Sequence, residues 1–212
     1  FESYITSVSF SPDGKWLAIG GYDFEVLILD LNSNDTIQSF KVGPDRGLGY
    51  GIDTDFSADG KWFVIGQDNR LAKVYDAKSW ELIYTFKPEE GWCGGCGTYV
   101  EFSPDSKSLA KLSNRGTLKE FNLSDGSLKK LYREEVKELS ALNYAKDGSL
   151  LLASDETTVW VYDVNSGALM SEFIPDVKEI NDAKISLNKE SVLVGGNDNK
   201  ATLWFLNSGV LK

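Results

Sequence analysis

An all-β chain of tandem four-stranded antiparallel sheets is what this sequence predicts, and three observations predict it. One pattern recurs five times along the 212 residues. Every copy joins short β-rich runs through tight-turn chemistry of the Ser-Pro-Asp-Gly kind, which favours hairpins. A fourth β-rich run closes each of the earlier copies, so the unit has four strands and not two.

The copies align on their first turn. "YITSVSFSPDGKWLAIGGYDFEVLILDL" (4–31) matches "YGIDTDFSADGKWFVIGQDNRLAKVYDA" (50–77) without a gap, and "CGTYVEFSPDSKSLAKLSNRGTLKEFNL" (96–123) follows in register. "ELSALNYAKDGSLLLASDETTVWVYDV" (138–164) is one residue shorter, and "EINDAKISLNKESVLVGGNDNKATLWFL" (179–206) completes the set. The turn residues Asp13, Asp59, Asp105, Asp147 and Asn188 stand 46, 46, 42 and 41 residues apart. The Val, Ile, Phe, Trp and Tyr flanking these turns suit pleated strands. "TIQSFKV" (36–42), "LIYTFKP" (82–88) and "LMSEFIP" (169–175) supply fourth runs. Four strands every 40 to 46 residues mark the blades of a β-propeller, whose faces are buried by stacking on neighbours. The expected blades are 4–42, 50–88, 96–133, 138–175 and 179–212, one propeller segment in all. The tail "NSGVLK" is too short for a full outer strand in the last.

These units resemble WD-repeats over nearly the whole chain. The Trp-Asp pair that ends a repeat is rendered as Leu29-Asp30, Tyr75-Asp76, Phe121-Asn122, Tyr162-Asp163 and Trp204-Phe205. The aspartate that such repeats place between second and third strands aligns with Asp23 and Asp198, and with Asn69, Arg115 and Glu156 in blades two to four. The Gly-His dipeptide is missing, so these are degenerate repeats without the histidine-centred hydrogen bonds. The resemblance implies a seven- or eight-bladed ring of which these residues are a part, with a closed five-bladed ring as the alternative. Further blades would come from the parent chain or another subunit. The Ser-Pro-Asp-Gly turns are read as hairpin links, since calcium sites need denser carboxylates. Trp16 and Trp62 are read as packing residues between blades.

Composition narrows the function. Forty-two per cent hydrophobic and 25% charged residues are ordinary globular values and argue against disorder. The net charge of −10, scattered without a basic cluster, is unsuited to phosphate neutralisation and argues against a nucleic-acid partner. No apolar run reaches the length of a membrane span. The absence of histidine excludes Ser-His-Asp and Cys-His catalysis within these residues, with every His-ligated metal. Cys93 and Cys96 supply two zinc ligands of four, and their loop lacks the βαβ setting of a redox Cys-x-x-Cys pair. Two ordinary thiols and a local disulfide across the intervening glycines both stay open. No metal, cofactor or catalytic role is expected.

What remains is an interaction scaffold that binds a protein or peptide through its rim loops. Two long glycine-containing connections, 42–51 and 88–97, enter blades two and three side by side, bringing Arg46, Tyr50 and Trp92 near the cysteines. Aromatic and Arg side chains are typical interface anchors. The family pattern adds Tyr22, Asp68, Asn114, Asp155 and Asn197 in the turns between second and third strands. The alternative is an accessory propeller of a larger enzyme, since "FSPDG" phrases also occur in propellers attached to peptidases. Two cysteines and no export signal point to the cytoplasm.

Overall fold

In the computed structural model the described residues are 4–22, 24–42, 52–67, 70–87, 97–113, 116–136, 138–206 and 210–211, and among them every regular element is a strand. Blade one is β1 (Ile5–Phe10), β2 (Trp16–Gly21), β3 (Glu25–Asp30) and β4 (Thr36–Lys41). Blade two is β5 (Asp53–Phe56), β6 (Trp62–Gly66), β7 (Ala72–Asp76) and β8 (Leu82–Phe86). Blade three holds β9 (Thr98–Phe102), β10 (Ser108–Ser113), β11 (Gly116–Asn122) and β12 (Leu128–Val136). Blade four holds β13 (Leu139–Tyr144), β14 (Leu150–Asp155), β15 (Val159–Asp163) and β16 (Leu169–Phe173). Blade five holds β17 (Ile180–Ile185), β18 (Ser191–Gly196), β19 (Ala201–Phe205) and β20 (Val210–Leu211). Each forms one antiparallel meander in sequence order. Blade five does carry an outer strand where the sequence promises none: Leu211 pairs with Trp204 and Val210 with Phe205, over two residues only.

The turn chemistry explains why the sheets start where they do. In blade one the Ser11 hydroxyl donates to Asp13 at 2.8 Å and accepts the Trp16 amide at 2.9 Å, while Asp13 accepts the Lys15 amide. That closes the hairpin and holds the Asp13 carboxyl down at about 2, chiefly through Ser11. The same bonds recur around Ser57 and Ser103, and around Ser186 with Asn188 as acceptor. The last turn residue is left-handed in each, at Gly14, Gly60 and Gly148 but also at Ser106 and Lys189. The two non-glycine residues pay this strain with a contact to the preceding blade. Ser106 Oγ accepts the Asp59 amide at 3.0 Å, and Lys189 Nζ reaches Asp147 at 2.5 Å. At the other hairpin of blades one, two and four, the aspartate of the Trp-Asp pair caps the turn. Asp30, Asp76 and Asp163 accept amides two or three residues ahead.

The core lies between blades. Among the described residues there are four buried apolar clusters, one at each junction of consecutive blades. An aromatic contact marks every junction: an outer-strand ring of one blade meets a third-strand ring of the next. These pairs are Phe40–Tyr75 at 4.6 Å, Phe86–Phe121 at 4.2 Å, Tyr132–Tyr162 at 5.3 Å and Phe173–Trp204 at 4.4 Å. The aromatic half of the Trp-Asp pair is therefore the receptor for the preceding blade. Trp16 packs at the first junction against Trp80, and Trp62 packs at the second against Tyr84, as the sequence predicts.

Candidate functional site

Along a strand, successive side chains alternate between faces, so an inner strand sends every second residue toward the axis. Residues of the inner strands β1, β5, β9, β13 and β17 line one cavity of about 240 Å³. Its wall carries Asp53, Asp55, Tyr99, Glu101, Asp182 and Lys184 beside Ser9 and Ser140. The carboxylates are more than lining. Asp53 accepts the Val100 amide at 2.9 Å, Asp55 the Phe102 amide at 2.8 Å, and Glu101 the Tyr144 amide at 3.0 Å. Asn143 accepts the Ile185 amide at 3.0 Å, and Ser7 Oγ the Thr54 amide at 3.0 Å. One blade's inner strand thus holds the next blade's inner strand at every junction.

Burial raises these carboxyls. Desolvation lifts Asp53 to about 6 against the pull of the Val100 amide and Ser7. Asp55 reaches about 7, again through desolvation, with the Asp53 charge added. Glu101 reaches about 8 by desolvation and the Asp55 charge, and Lys184 opposes the rise. The Tyr99 hydroxyl rises to about 12, through desolvation and then Asp53. Such a cavity attracts positive charge and takes up protons near neutrality. Among the described residues no group of three or more Asp, Glu, His or Cys is placed to hold a metal ion.

The second region is the rim at the opposite end from the Ser-Pro-Asp-Gly turns. Tyr22 and Asn197 sit there in the β2–β3 and β18–β19 turns, and Asp155 there as the last residue of β14. Tyr22 is 39% exposed and meets the Tyr4 ring edge-on at 6.1 Å. Asp155 caps its own turn by accepting the Thr157 and Thr158 amides, and Asn197 is tied to Glu179 through its backbone amide and its side chain. An acidic group gathers here between blades four and five. The Glu156 carboxyl is raised, first by desolvation and then by the charges of Glu138, Glu179 and Asp155. Arg46, Tyr50, Asp68, Trp92, Asn114 and both cysteines, Cys93 and Cys96, lie outside the described residues, and the three sequence-derived rim residues that are described occupy equivalent positions in blades one, four and five.

The axial carboxylates are what sequence reasoning missed. Their signal exists: four and six residues before each turn residue stand Ser9 and Ser7, Asp55 and Asp53, Glu101 and Tyr99, Asn143 and Ala141, Lys184 and Asp182. Polar side chains at eight or nine of ten inward positions, in strands that otherwise read as core, specify a polar axis.

Comparison with known families agrees with this construction. The family model described as WD domain, G-beta repeat matches residues 1–30, which span β1 to β3 of blade one. A comparison with curated proteins returns no match. One repeat is matched by the family model, and the four units that share its register form the same antiparallel four-stranded sheets, which supports a WD-repeat family on a β-propeller fold.

Proposed function

We propose that the chain is a non-catalytic scaffold that binds a protein or peptide partner through the rim formed by the second-to-third-strand turns and the connections between blades. The observation that carries this is the acidic group of Glu138, Asp155, Glu156 and Glu179, in which desolvation and then the three neighbouring charges raise the Glu156 carboxyl. Negative charge assembled on a rigid rim favours a basic segment and speeds its encounter. Exposed Tyr22 and its contact with Tyr4 add an aromatic surface at the same end. Arg46, Tyr50, Trp92, Asp68 and Asn114 belong to the proposal on the strength of their sequence positions, as does a cytoplasmic location. WD repeats serve widely as interaction modules, which supports the coarse form of this reading.

The test is a pull-down with bound proteins identified and quantified. Glu156→Gln with Glu179→Gln removes rim charge, and Trp92→Ala with Arg46→Ala removes the anchors. Lys61→Ala, at the opposite end, is the control. Each rim pair is expected to lose the proteins that the unaltered chain and the control share, at an unchanged melting temperature. Equal recovery by all variants would contradict the proposal.

A further inference from the structure

The outer ladders of blades one, two and four each slip once, beside the Trp-Asp position. That of blade three slips again near its rim end: Leu118 pairs with Arg133 and Lys119 with Leu131, so Tyr132 is left over. A bulge of this kind bends a strand and re-aims its side chains. Tyr132 and Arg133 therefore both turn onto blade four. The Tyr132 ring meets Tyr162 at 5.3 Å, and the Arg133 guanidinium lies 3.9 Å over the Trp160 ring. Trp160 is 3% exposed under that cover, while Leu27, Lys73, Lys119 and Thr202, at its register in the other blades, are not buried.

The side chains that meet here carry donors without acceptors. Arg133 Nε, Trp160 Nε1 and the Tyr162 hydroxyl are buried and have no hydrogen-bond partner. Tyr162 lies close enough to sense the guanidinium: burial raises its hydroxyl, and Arg133 opposes the rise. Natural folds keep few buried donors unpaired, so three around a permanent cation point to a missing acceptor of negative charge. Carboxylates are not scarce, with 32 acidic against 22 basic residues, yet among the described residues none pairs with Arg133. Glu172 stands opposite Trp160 in the β15–β16 ladder, but it is exposed and forms no ion pair with Arg133. Arg133 itself is half-buried, with one face on the indole and its remaining edge free. The stack belongs to the rim end of the junction, since Trp160 is the second residue of β15, just past the turn that carries Glu156.

We propose that Arg133, held flat by Trp160, is the receptor for a carboxylate of the partner segment, its fork donating to both oxygens. Guanidinium stacked on an aromatic ring keeps its edge preorganised for such a two-bond contact, which an ammonium cannot reproduce. The carboxylate is an Asp or Glu side chain or a chain end, which offer the same chemistry. The inference rests on the rim reading only in assigning that carboxylate to a protein segment. It deepens that reading, because the segment then carries an acidic group beside the basic one drawn to Glu156 and its neighbours.

The indole N–H signal of Trp160 in heteronuclear NMR, assigned through Trp160→Phe, tests this without the partner. N-acetylglycine supplies a terminal carboxylate and the α-amide of N-acetylglutamate a side-chain one, each titrated against chloride at constant ionic strength. At least one is expected to move the Trp160 signal to saturation while the other tryptophan signals stay, and the tighter of the two names the source. Arg133→Lys keeps the charge without the fork and is expected to weaken binding by about tenfold, with the other signals unmoved as proof of folding. Glu172→Gln is expected to leave the free-state signal in place. No saturable shift, or an equal response from Arg133→Lys, would overturn the proposal. Tighter binding of inorganic phosphate than of either probe would overturn it too. So would a Glu172→Gln signal displaced as far as the probes displace it, because Glu172 would then be the acceptor in solution. Failure of the rim pull-down with a normal carboxylate response would count against the rim reading alone.

Discussion

The junction of blades one and two and that of blades three and four occupy the same place in the repeat but are built from different chemistry. The first is apolar and aromatic: Phe40, Phe56, Phe63, Tyr75 and Trp80 meet with ring centroids 4.6–5.9 Å apart. The second puts Glu120, fully buried, where blades one, two and four have Ile28, Val74 and Val161. Lys129 Nζ lies 2.8 Å from Glu120 and also reaches Ser108, while the hydroxyls of Tyr132 and Tyr144 donate to the same carboxylate at 2.9 and 3.2 Å. Both tyrosine hydroxyls are raised above their ordinary range, by desolvation and then by the Glu120 charge. The repeat thus fixes where a junction residue sits and leaves open how its burial is satisfied. Ring packing tolerates trimming at a graded cost, but an ion network depends on every member.

The largest effects should separate the two junctions. Lys129→Met strands a buried carboxylate and is expected to cost about 3–5 kcal/mol, comparable to the cavity left by Phe63→Ala. The second substitution distinguishes them. Adding Glu120→Leu to Lys129→Met should recover most of the loss, because removing both charges removes the desolvation penalty. Adding Phe40→Ala to Phe63→Ala should deepen the loss. Chemical denaturation of the four variants checks this, and recovery in both pairs or in neither would break the comparison.

An effect of intermediate size should appear with pH, at the axis that runs past both junctions. Asp53, Asp55 and Glu101 have folded values of about 6, 7 and 8, above the roughly 4 of unfolded carboxyls. The folded state therefore binds protons that the unfolded state has released. Stability should fall as pH rises from about 4.5 to about 8, the reverse of the usual carboxylate trend, and flatten above that. Lys184, Asp182 and Tyr99 face the same cavity, and Lys184 moderates the fall. The expected loss exceeds about 1.4 kcal/mol, the equivalent of one pKa unit. Asp55→Asn keeps an acceptor for Phe102 and should reduce the slope, as measured by denaturation midpoints at several pH values.

The smallest effect belongs to the caps. Asp76→Ala removes the acceptor for the Lys78 and Ser79 amides and should cost about 1 kcal/mol. Asn122→Asp, which restores the usual residue in blade three, should be neutral or slightly stabilising, and melting curves of the two would order them.

Five repeats, their hairpins and the packing roles of Trp16 and Trp62 were legible because turn chemistry and alternation are local. The order of blades followed too, since a sheet buried on both faces must stack. Glu120 was not legible, because one Glu in "GTLKEFN" reads as a solvent-facing residue until Lys129 and two tyrosines from elsewhere converge on it. The axial carboxylates hid for a different reason: Asp53 and Asp55 look like exposed alternation in a half-buried strand, and only the packing of neighbouring inner strands sets them on a shared cavity. Of the rim, Tyr22, Asp155 and Asn197 were placed at equivalent turns by register alone, while the bonds that tie Asp155 and Asn197 down depend on Thr157, Thr158 and Glu179.

Amide hydrogen exchange at the axis tests most directly whether the blades are knit inner strand to inner strand. The amides of Val100, Phe102, Tyr144 and Ile185 each donate to a side chain of the preceding blade and to no backbone acceptor of their own sheet, so that side chain is what should protect them from exchange. They should exchange about as slowly as amides bonded within the sheets, and Asp55→Ala should expose Phe102 while leaving Ile185 protected. Rapid exchange at all four in the unaltered chain would contradict the account.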